Sequence, residues 1–206
     1  ESRGLGDVYK RQLLNNAGGA NKTKQITTEG LEKTFATNQM NYFVLSTELL
    51  EIISESNDGR IVNVASNAHI GAEVDYENIN SEKSFSAWTS YCVSKLMNIM
   101  FTYQLSSIQD KVSVNVLHPG FVDTNIAGNE GNFIKYIVKL GAKMFARTVD
   151  SGADSSIYLS TSDEVQNVSG KYFFKCKEIK SSRASYNKED WQKVWDLCNE
   201  YKIKLI

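Results

Sequence analysis

Hydrophobic residues recur at helical spacing over two long stretches of the chain. Between residues 28 and 54 they follow one another at intervals of four and three, which is typical of one face of an amphipathic helix. Thr28 is a favourable N-cap for this helix. A second helix is predicted over residues 87–106. The first stripe consists of Leu31, Phe35, Asn38, Tyr42, Leu45, Leu49 and Ile52, and the second of Leu96, Ile99 and Tyr103.

Short runs rich in β-branched and apolar residues alternate with the helices. Such runs, bounded by turn residues, predict strands. We expect strands at Leu13–Leu14, 60–65, 112–117 and, as the final strand, 171–174, and further helices at 133–145, 151–160 and 188–201. This alternation favours an α/β fold with a parallel sheet. Residues 1–12 show neither pattern and are interpreted as a non-native or disordered segment, which leaves residues 13–206 in one domain.

Polar and turn-forming residues follow three of the predicted strands. The turn Asn15–Gly18 follows the first strand, Ser66 the second, and Pro119–Gly120 the third. In a parallel α/β sheet, ligands bind beyond the carboxyl ends of the strands. The three features are therefore expected at one edge of the sheet. Taken singly, a serine that ends a strand is more often only a turn former.

Tyr91 and Lys95 lie four residues apart in the second predicted helix. That spacing places both side chains on one face of a helix. A nearby cation favours the phenolate and lowers the pKa of a tyrosine, so the pair suits proton transfer to an alcohol or a carbonyl. On this pair alone, a buried tyrosine beside a solvated lysine is the favoured interpretation.

Asn38 is the polar member of the first apolar stripe. A buried amide needs hydrogen-bond partners, so Asn38 either braces the backbone or serves a site. On spacing alone, bracing is favoured.

The composition is that of a soluble globular domain, with 41% hydrophobic and 23% charged residues among 206. A net charge of −1 gives no reason to expect a nucleic acid partner. Three widely spaced cysteines indicate reduced thiols, and no metal-binding spacing occurs. With neither a signal peptide nor an apolar run of membrane-spanning length, we expect an intracellular protein.

Taken in order, these motifs resemble those of the short-chain dehydrogenases/reductases, in particular the retinol dehydrogenase-like branch. The similarity covers about residues 13–200. The matching segments are Asn15-Asn16-Ala17-Gly18, the helix asparagine Asn38, Arg60-Ile61-Val62-Asn63-Val64-Ala65-Ser66, Tyr91-Cys92-Val93-Ser94-Lys95, His118-Pro119-Gly120-Phe121-Val122-Asp123-Thr124 and Ser169-Gly170-Lys171-Tyr172-Phe173.

The resemblance implies a catalytic tetrad and a nicotinamide cofactor. Tyr91 would transfer a proton, Lys95 would lower the pKa of the phenol and bind the ribose, and Ser66 would donate to the substrate oxygen. Asn38 would hold a water that joins Lys95 to solvent. The cofactor, NADP or alternatively NAD, would be bound by Asn16, Ala17, Gly18, Tyr91, Lys95, Pro119, Gly120, Val122 and Thr124. The segment Asn125–Met144, with Phe133 and Ile137, would cover an apolar substrate.

One departure from the family pattern changes the expectations. The glycine-rich turn and the residue that distinguishes NAD from NADP do not precede Asn15. We therefore expect a partial Rossmann-type doubly wound sheet that lacks the first βαβ units, in a chain inactive by itself. Leu13–Leu14 would form an open sheet edge.

The implied partner is a small lipophilic alcohol or carbonyl compound, such as retinol or retinal. The resemblance also allows a homodimer through the two long helices, and a membrane anchor in a missing N-terminal segment. Two alternatives stay open: a carbonyl or pigment-precursor reductase of the same fold, and a binding module without catalysis.

Overall fold

The computed structural model describes residues 11–120 and 149–205. Within them, five strands form one sheet in the same order as in the sequence. The first four strands are parallel and the fifth is antiparallel, which confirms the predicted α/β fold with a mainly parallel sheet. The strands are β1 (Gln12–Asn15), β2 (Arg60–Val64), β3 (Ser113–Leu117), β4 (Tyr172–Phe174) and β5 (Lys177–Ile179).

Strand positions in the sheet follow their burial. All residues of β2 are buried, and β3 is buried from Val114 onward. In the described residues β1 lies at one edge of the sheet, where Leu14 remains 44% exposed. The prediction that 171–174 is the final strand is wrong. Lys175 and Cys176 adopt positive φ angles, and the resulting tight turn leads back into the antiparallel strand β5.

The first helical stretch starts later than predicted. Its helices are α1 (Lys33–Phe35), α2 (Asn41–Glu48) and α3 (Leu50–Ser54). The N-cap is Glu32, not Thr28, and its carboxylate accepts hydrogen bonds from the backbone N–H groups of Thr34 and Phe35. Gly30 has a φ of 81°, and this left-handed conformation ends a turn rather than beginning a helix.

A π-helical segment, Ala36–Met40, interrupts this stretch and shifts its buried face. A π turn contains one extra residue, so positions that follow it are rotated by one residue relative to a regular helix. Leu31, Phe35, Asn38 and Tyr42 are buried as predicted, whereas Leu45, Leu49 and Ile52 are 45%, 37% and 49% exposed. Their places in the core are taken one position later by Ser46, Leu50 and Ile53.

The central helix α4 (Ala87–Ile108) confirms the second predicted helix and extends it by two residues. Ser86 caps its N-terminus by accepting a hydrogen bond from the backbone N–H of Thr89. From Tyr91 onward nearly every side chain of α4 is buried, because the helix lies between the sheet and the C-terminal helix. Phe101 stacks on Trp195 of that helix at a centroid distance of 6.0 Å.

Two further helices complete the described fold, α5 (Val149–Thr161) and α6 (Lys188–Leu205). Arg60 and Asp58 form a buried ion pair at 2.6 Å, and Arg60 also donates to the carbonyls of Leu159 and Ser162. These bonds attach the end of α5 to the start of β2. The predicted helix 133–145 lies outside the described residues. In residues 11–120 and 149–205, every helix is too short or too polar to cross a membrane.

Candidate active site

The loops that follow β1, β2 and β3 lie at one edge of the sheet. Because these three strands are parallel and adjacent, their carboxyl ends point the same way. The turn Asn15–Gly18, Ser66 and the segment His118–Gly120 therefore share this edge, as the sequence predicted. Tyr91 and Lys95 reach the same region from α4.

Tyr91 and Ser66 face each other at this edge. Tyr91 lies in the second turn of α4 and is 9% exposed. Burial raises the pKa of Tyr91, and a hydrogen bond with the Ser66 side chain acts in the opposite direction. Ser66 is the N-cap of a short 3-10 helix, Asn67–His69, and its Oγ also accepts from the N–H of Ala68 at 3.2 Å.

Lys95 is buried rather than solvated, which contradicts the interpretation of this pair as a buried tyrosine beside a solvated lysine. Its side chain is 4% exposed, and Nζ donates to the carbonyl of Val64 at 2.8 Å. Nζ lies 5.9 Å from the ring centre of Tyr91 and 5.4 Å from that of Tyr42. Burial lowers the pKa of Lys95 to about 7. The folded chain thus holds an amine that changes charge near neutral pH, next to a phenol whose pKa is raised rather than lowered.

Asn38 braces the loop that follows β1. Its Nδ2 donates to the carbonyl of Gly19 at 2.9 Å and to Ser94 Oγ at 2.8 Å, and its Oδ1 accepts from the Gly19 N–H at 2.9 Å. The side chain is fully buried, and its polar atoms are satisfied by these bonds. This is the bracing role that spacing alone favoured.

Gly18 lies against both the brace and the amine. A Cβ at this position would be 3.0 Å from Asn38 Oδ1 and 3.2 Å from Lys95 Nζ. Only glycine therefore lets the backbone approach Lys95 without displacing it. Asn16, Ala17 and Gly18 are all exposed, so this short segment presents backbone and an amide to any molecule that lies along the sheet edge. These features fit a flat, polar ligand such as a dinucleotide.

The segment after β3 is shaped by His118 and Gly120. The His118 ring stacks on Phe174 at a centroid distance of 4.2 Å, and its Nδ1 accepts from the N–H of Gly120 at 3.2 Å. Gly120 has a φ of 84°, a left-handed conformation that favours glycine. The other predicted residues of this loop, Val122 and Thr124, lie outside the described residues. So does the proposed cover over the substrate, with Phe133, Ile137 and Met144.

Sequence reasoning missed several groups that shape the site. The carbonyl of Val64 holds Lys95, and Ser94 holds Asn38. His69 binds the carbonyl of Ser66, and Trp88 is 41% exposed with its ring 6.1 Å from that of Tyr91. Ser94 and Trp88 could have been found because each lies three residues from Tyr91 on the helix. In the described part of the chain, histidine, cysteine and acidic side chains form no group of three that could hold a metal ion.

A mainly parallel sheet with this edge defines a Rossmann-type α/β protein. The sequence pattern of the short chain dehydrogenases matches residues 11–134. The chain therefore belongs to the short-chain dehydrogenase family, and its relatives confirm the resemblance to the retinol dehydrogenase-like branch.

Among similar proteins, human retinol dehydrogenase 14 is 36% identical over 198 residues, which are 94% of this chain. Human polyprenol dehydrogenase is 32% identical over 191 residues, or 89% of the chain. The alignments cover 59% and 58% of those proteins. The chain thus spans less than two thirds of the length of either relative.

Solved structures support the fold. An uncharacterized protein from Mycobacterium paratuberculosis superposes with a TM-score of 0.71 at 23% identity, covering 96% of this chain and 69% of that one. Gluconate 5-dehydrogenase from Burkholderia cenocepacia, solved with NADP and tartrate, gives 0.57 at 18% identity, covering 80% and 62%.

Proposed function

We propose that the protein is an NAD(P)-dependent oxidoreductase that interconverts an alcohol and a carbonyl on an apolar substrate. The observation that carries this proposal is the contact of Tyr91 with Ser66 beside the buried amine of Lys95, at the carboxyl edge of a parallel sheet. Membership of the short-chain dehydrogenase family supports the same reaction class.

Oxidation of an alcohol removes a hydride from carbon and a proton from oxygen. The nicotinamide cofactor supplies the hydride acceptor or donor. In reduction Tyr91 gives its phenol proton to the carbonyl oxygen, and in oxidation its phenolate form takes the proton from the alcohol oxygen. Ser66 donates a hydrogen bond to the same oxygen, where negative charge develops. The Ser66 side chain lies close enough to the Tyr91 hydroxyl to affect its pKa, so one substrate oxygen could meet both groups.

Lys95 and the loop after β1 would hold the cofactor. The Lys95 amine carries protons beyond the one that it donates to Val64, and these can reach a ribose hydroxyl. Gly18 keeps the space beside that amine free of a side chain, and Asn38 fixes the position of the loop. Pro119 and Gly120 border the site from the neighbouring strand. The pKa of Lys95, about 7, makes this binding sensitive to pH near neutrality.

An apolar substrate is supported by Trp88. Its indole is partly exposed and lies beside the ring of Tyr91, so it offers an apolar surface next to the reacting oxygen. Two of the relatives carry the names retinol dehydrogenase and polyprenol dehydrogenase. A long-chain or polyene alcohol, or the corresponding aldehyde, is therefore the substrate class that we propose. NADP is the cofactor that we place first, with NAD as the alternative.

The test is hydride transfer by the intact protein carrying Tyr91→Phe, followed by absorbance of the reduced nicotinamide with retinal as substrate. We expect turnover to fall by at least about 100-fold, the size of a general acid–base contribution. Tyr158→Phe, at a partly exposed tyrosine whose hydroxyl donates to Glu164, is the matched control and should keep its activity. Turnover by Tyr91→Phe near that of the control would remove Tyr91 from proton transfer.

Fluorescence titration with NADPH and NADH separates the remaining candidates. Binding of either cofactor with turnover of retinal supports the proposal and identifies the preferred cofactor. Binding without turnover of any alcohol or carbonyl compound would indicate a binding module. Turnover of small water-soluble carbonyl compounds, with none of retinal, would instead favour a carbonyl reductase.

A further inference from the structure

His69 connects the active-site loop to the C-terminal part of the chain. It ends the short 3-10 helix that begins after Ser66, and it is 1% exposed. Its Nδ1 lies 2.7 Å from the carbonyl oxygen of Ser66, and its Nε2 lies 3.0 Å from the backbone nitrogen of Ser182. Both ring nitrogens are therefore engaged, each by a different segment.

The partners fix the tautomer of the ring. A backbone N–H can only donate, so Nε2 must accept from Ser182. The ring proton then lies on Nδ1, which donates to the carbonyl of Ser66. A protonated ring could not accept at Nε2. Burial lowers the pKa of His69, which keeps the ring neutral.

The Ser66 carbonyl is bound twice by the same residue. The backbone N–H of His69 donates to it at 3.2 Å, in addition to the ring. These bonds hold the peptide whose side chain contacts Tyr91. On the other side of the ring, Ser182 directly precedes another 3-10 helix, Arg183–Tyr186, in which the carbonyl of Ser185 accepts from the indole N–H of Trp191 at 2.7 Å.

We propose that His69 is a positioning residue that fixes the Ser66 hydroxyl for catalysis by clamping its peptide to the segment at Ser182. This inference rests on the proposed function. His69 does not reach the substrate; it acts through Ser66. The imidazole is bonded at both nitrogens and packs against the ring of Tyr172, with 5.3 Å between the ring centres, so it has one orientation. This fixed orientation holds the Ser66 loop in place.

The chain offers two substitutions that divide the clamp. Asn at position 69 has an amide N–H near the place of Nδ1 and can still donate to Ser66, but it does not reach Ser182. Gln has an oxygen near the place of Nε2 and can still accept from Ser182, but it removes the ring donor to the Ser66 carbonyl and leaves the bond from the backbone N–H of residue 69. His69→Gln should therefore lower kcat by about 10- to 100-fold, as small misplacements of catalytic groups do. His69→Asn should recover much of that loss, and KM for the cofactor should stay unchanged in both.

A double-mutant cycle with Ser66→Ala tests whether His69 acts through Ser66. In the Ser66→Ala background, His69→Gln should cost less than twofold in kcat. Full additivity, or an unchanged kcat in His69→Gln alone, would overturn the proposal.

A wild-type protein without activity would instead refute the proposed function and leave the clamp to be tested by NMR. Nitrogen chemical shifts of His69 should report the Nδ1–H tautomer, and the Nε2–H tautomer or a charged ring at pH 7 would overturn the clamp even if a variant fails to fold.

Discussion

Lys95 should destabilise the fold that it serves, and replacing it should make the protein more stable. An ammonium group loses its hydration when it is buried, so the neutral form is favoured and the pKa falls. Burial lowers the pKa of Lys95 from 10.5 to about 7, and this difference corresponds to about 5 kcal/mol of unfolding free energy. Lys95→Met fills a similar volume without a charge.

The sign of the effect follows from proton binding. Between pH 7 and 10.5 the unfolded chain holds a proton on Lys95 that the folded chain has lost, so the free energy of unfolding rises with pH in that window. Burial of Lys95 lowers the free energy of unfolding by about 5 kcal/mol at pH 6 and by about 2 kcal/mol at pH 9. Its bond to the Val64 carbonyl returns about 1 to 2 kcal/mol, which Lys95→Met loses at both values.

Urea unfolding, followed by tryptophan fluorescence at pH 6 and pH 9, measures both quantities. We expect Lys95→Met to be about 3 kcal/mol more stable than the wild type at pH 6, and this advantage to disappear by pH 9. The matched control is Lys111→Met, at an exposed lysine, which should show no such dependence on pH. A Lys95→Met protein that is less stable at pH 6, or a difference independent of pH, would refute the reasoning. Hydride transfer should be lost in the stabilised variant, because stability and function conflict at this residue.

Three further predictions follow from buried contacts. Arg60→Met should lower the free energy of unfolding by about 3 to 5 kcal/mol in urea titrations, because it removes the guanidinium from a buried ion pair with Asp58 and from the carbonyls of Leu159 and Ser162. Adding Asp58→Leu should restore part of the loss, and an equal or greater loss in the double variant would contradict this. Gly18→Ala should weaken NADPH binding on the order of tenfold in fluorescence titrations, since the new Cβ presses on the amine of Lys95. Thermal stability should change little, and an unchanged affinity for NADPH would contradict the prediction. Burial, together with nearby His69, lowers the pKa of His118 to about 4, so the free energy of unfolding should fall by up to about 3 kcal/mol between pH 6.5 and 4.5. In urea titrations over this range, His118→Phe should lose less stability than the wild type, and an equal loss in both proteins would contradict this.

The parts of the structure that sequence could predict are those that depend on local patterns. The strands β2 and β3 contain alternating valines and other apolar residues, and the helix that carries Tyr91 has a long apolar stripe, so their positions followed from periodicity. The parallel arrangement then required Ser66 and Pro119 to lie at one edge. Asn38 could be recognised as exceptional because it is a polar residue in a buried stripe.

The parts that could not be predicted depend on contacts between distant segments. The π segment near Asn38 shifts the buried face by one residue, and its amide bonds to Gly19 and Ser94 have no local signature. The clamp by His69 joins residues that are 113 positions apart. Strand β5 depends on positive φ angles at two residues that are not glycine, which propensity disfavours.

The buried polar groups beneath the site explain how the fold holds an unfavourable amine in place. Asn15 Nδ2 donates to Asn63 Oδ1 at 2.8 Å, and Asn63 Nδ2 donates to Thr102 Oγ1 at 2.9 Å. Thr102 donates to the carbonyl of Asn98, whose amide donates to the carbonyl of Asn38. This row joins β1, β2, α4 and the π segment by bonds between neutral groups, which remain unchanged when Lys95 gains or loses its proton. The N–H and O–H donors of this row are paired, whereas the side-chain oxygens of Asn15 and Asn98 have no hydrogen-bond partner among the described residues. The paired bonds can keep the loop after β1 and the helix α4 in register while the charge beside them varies.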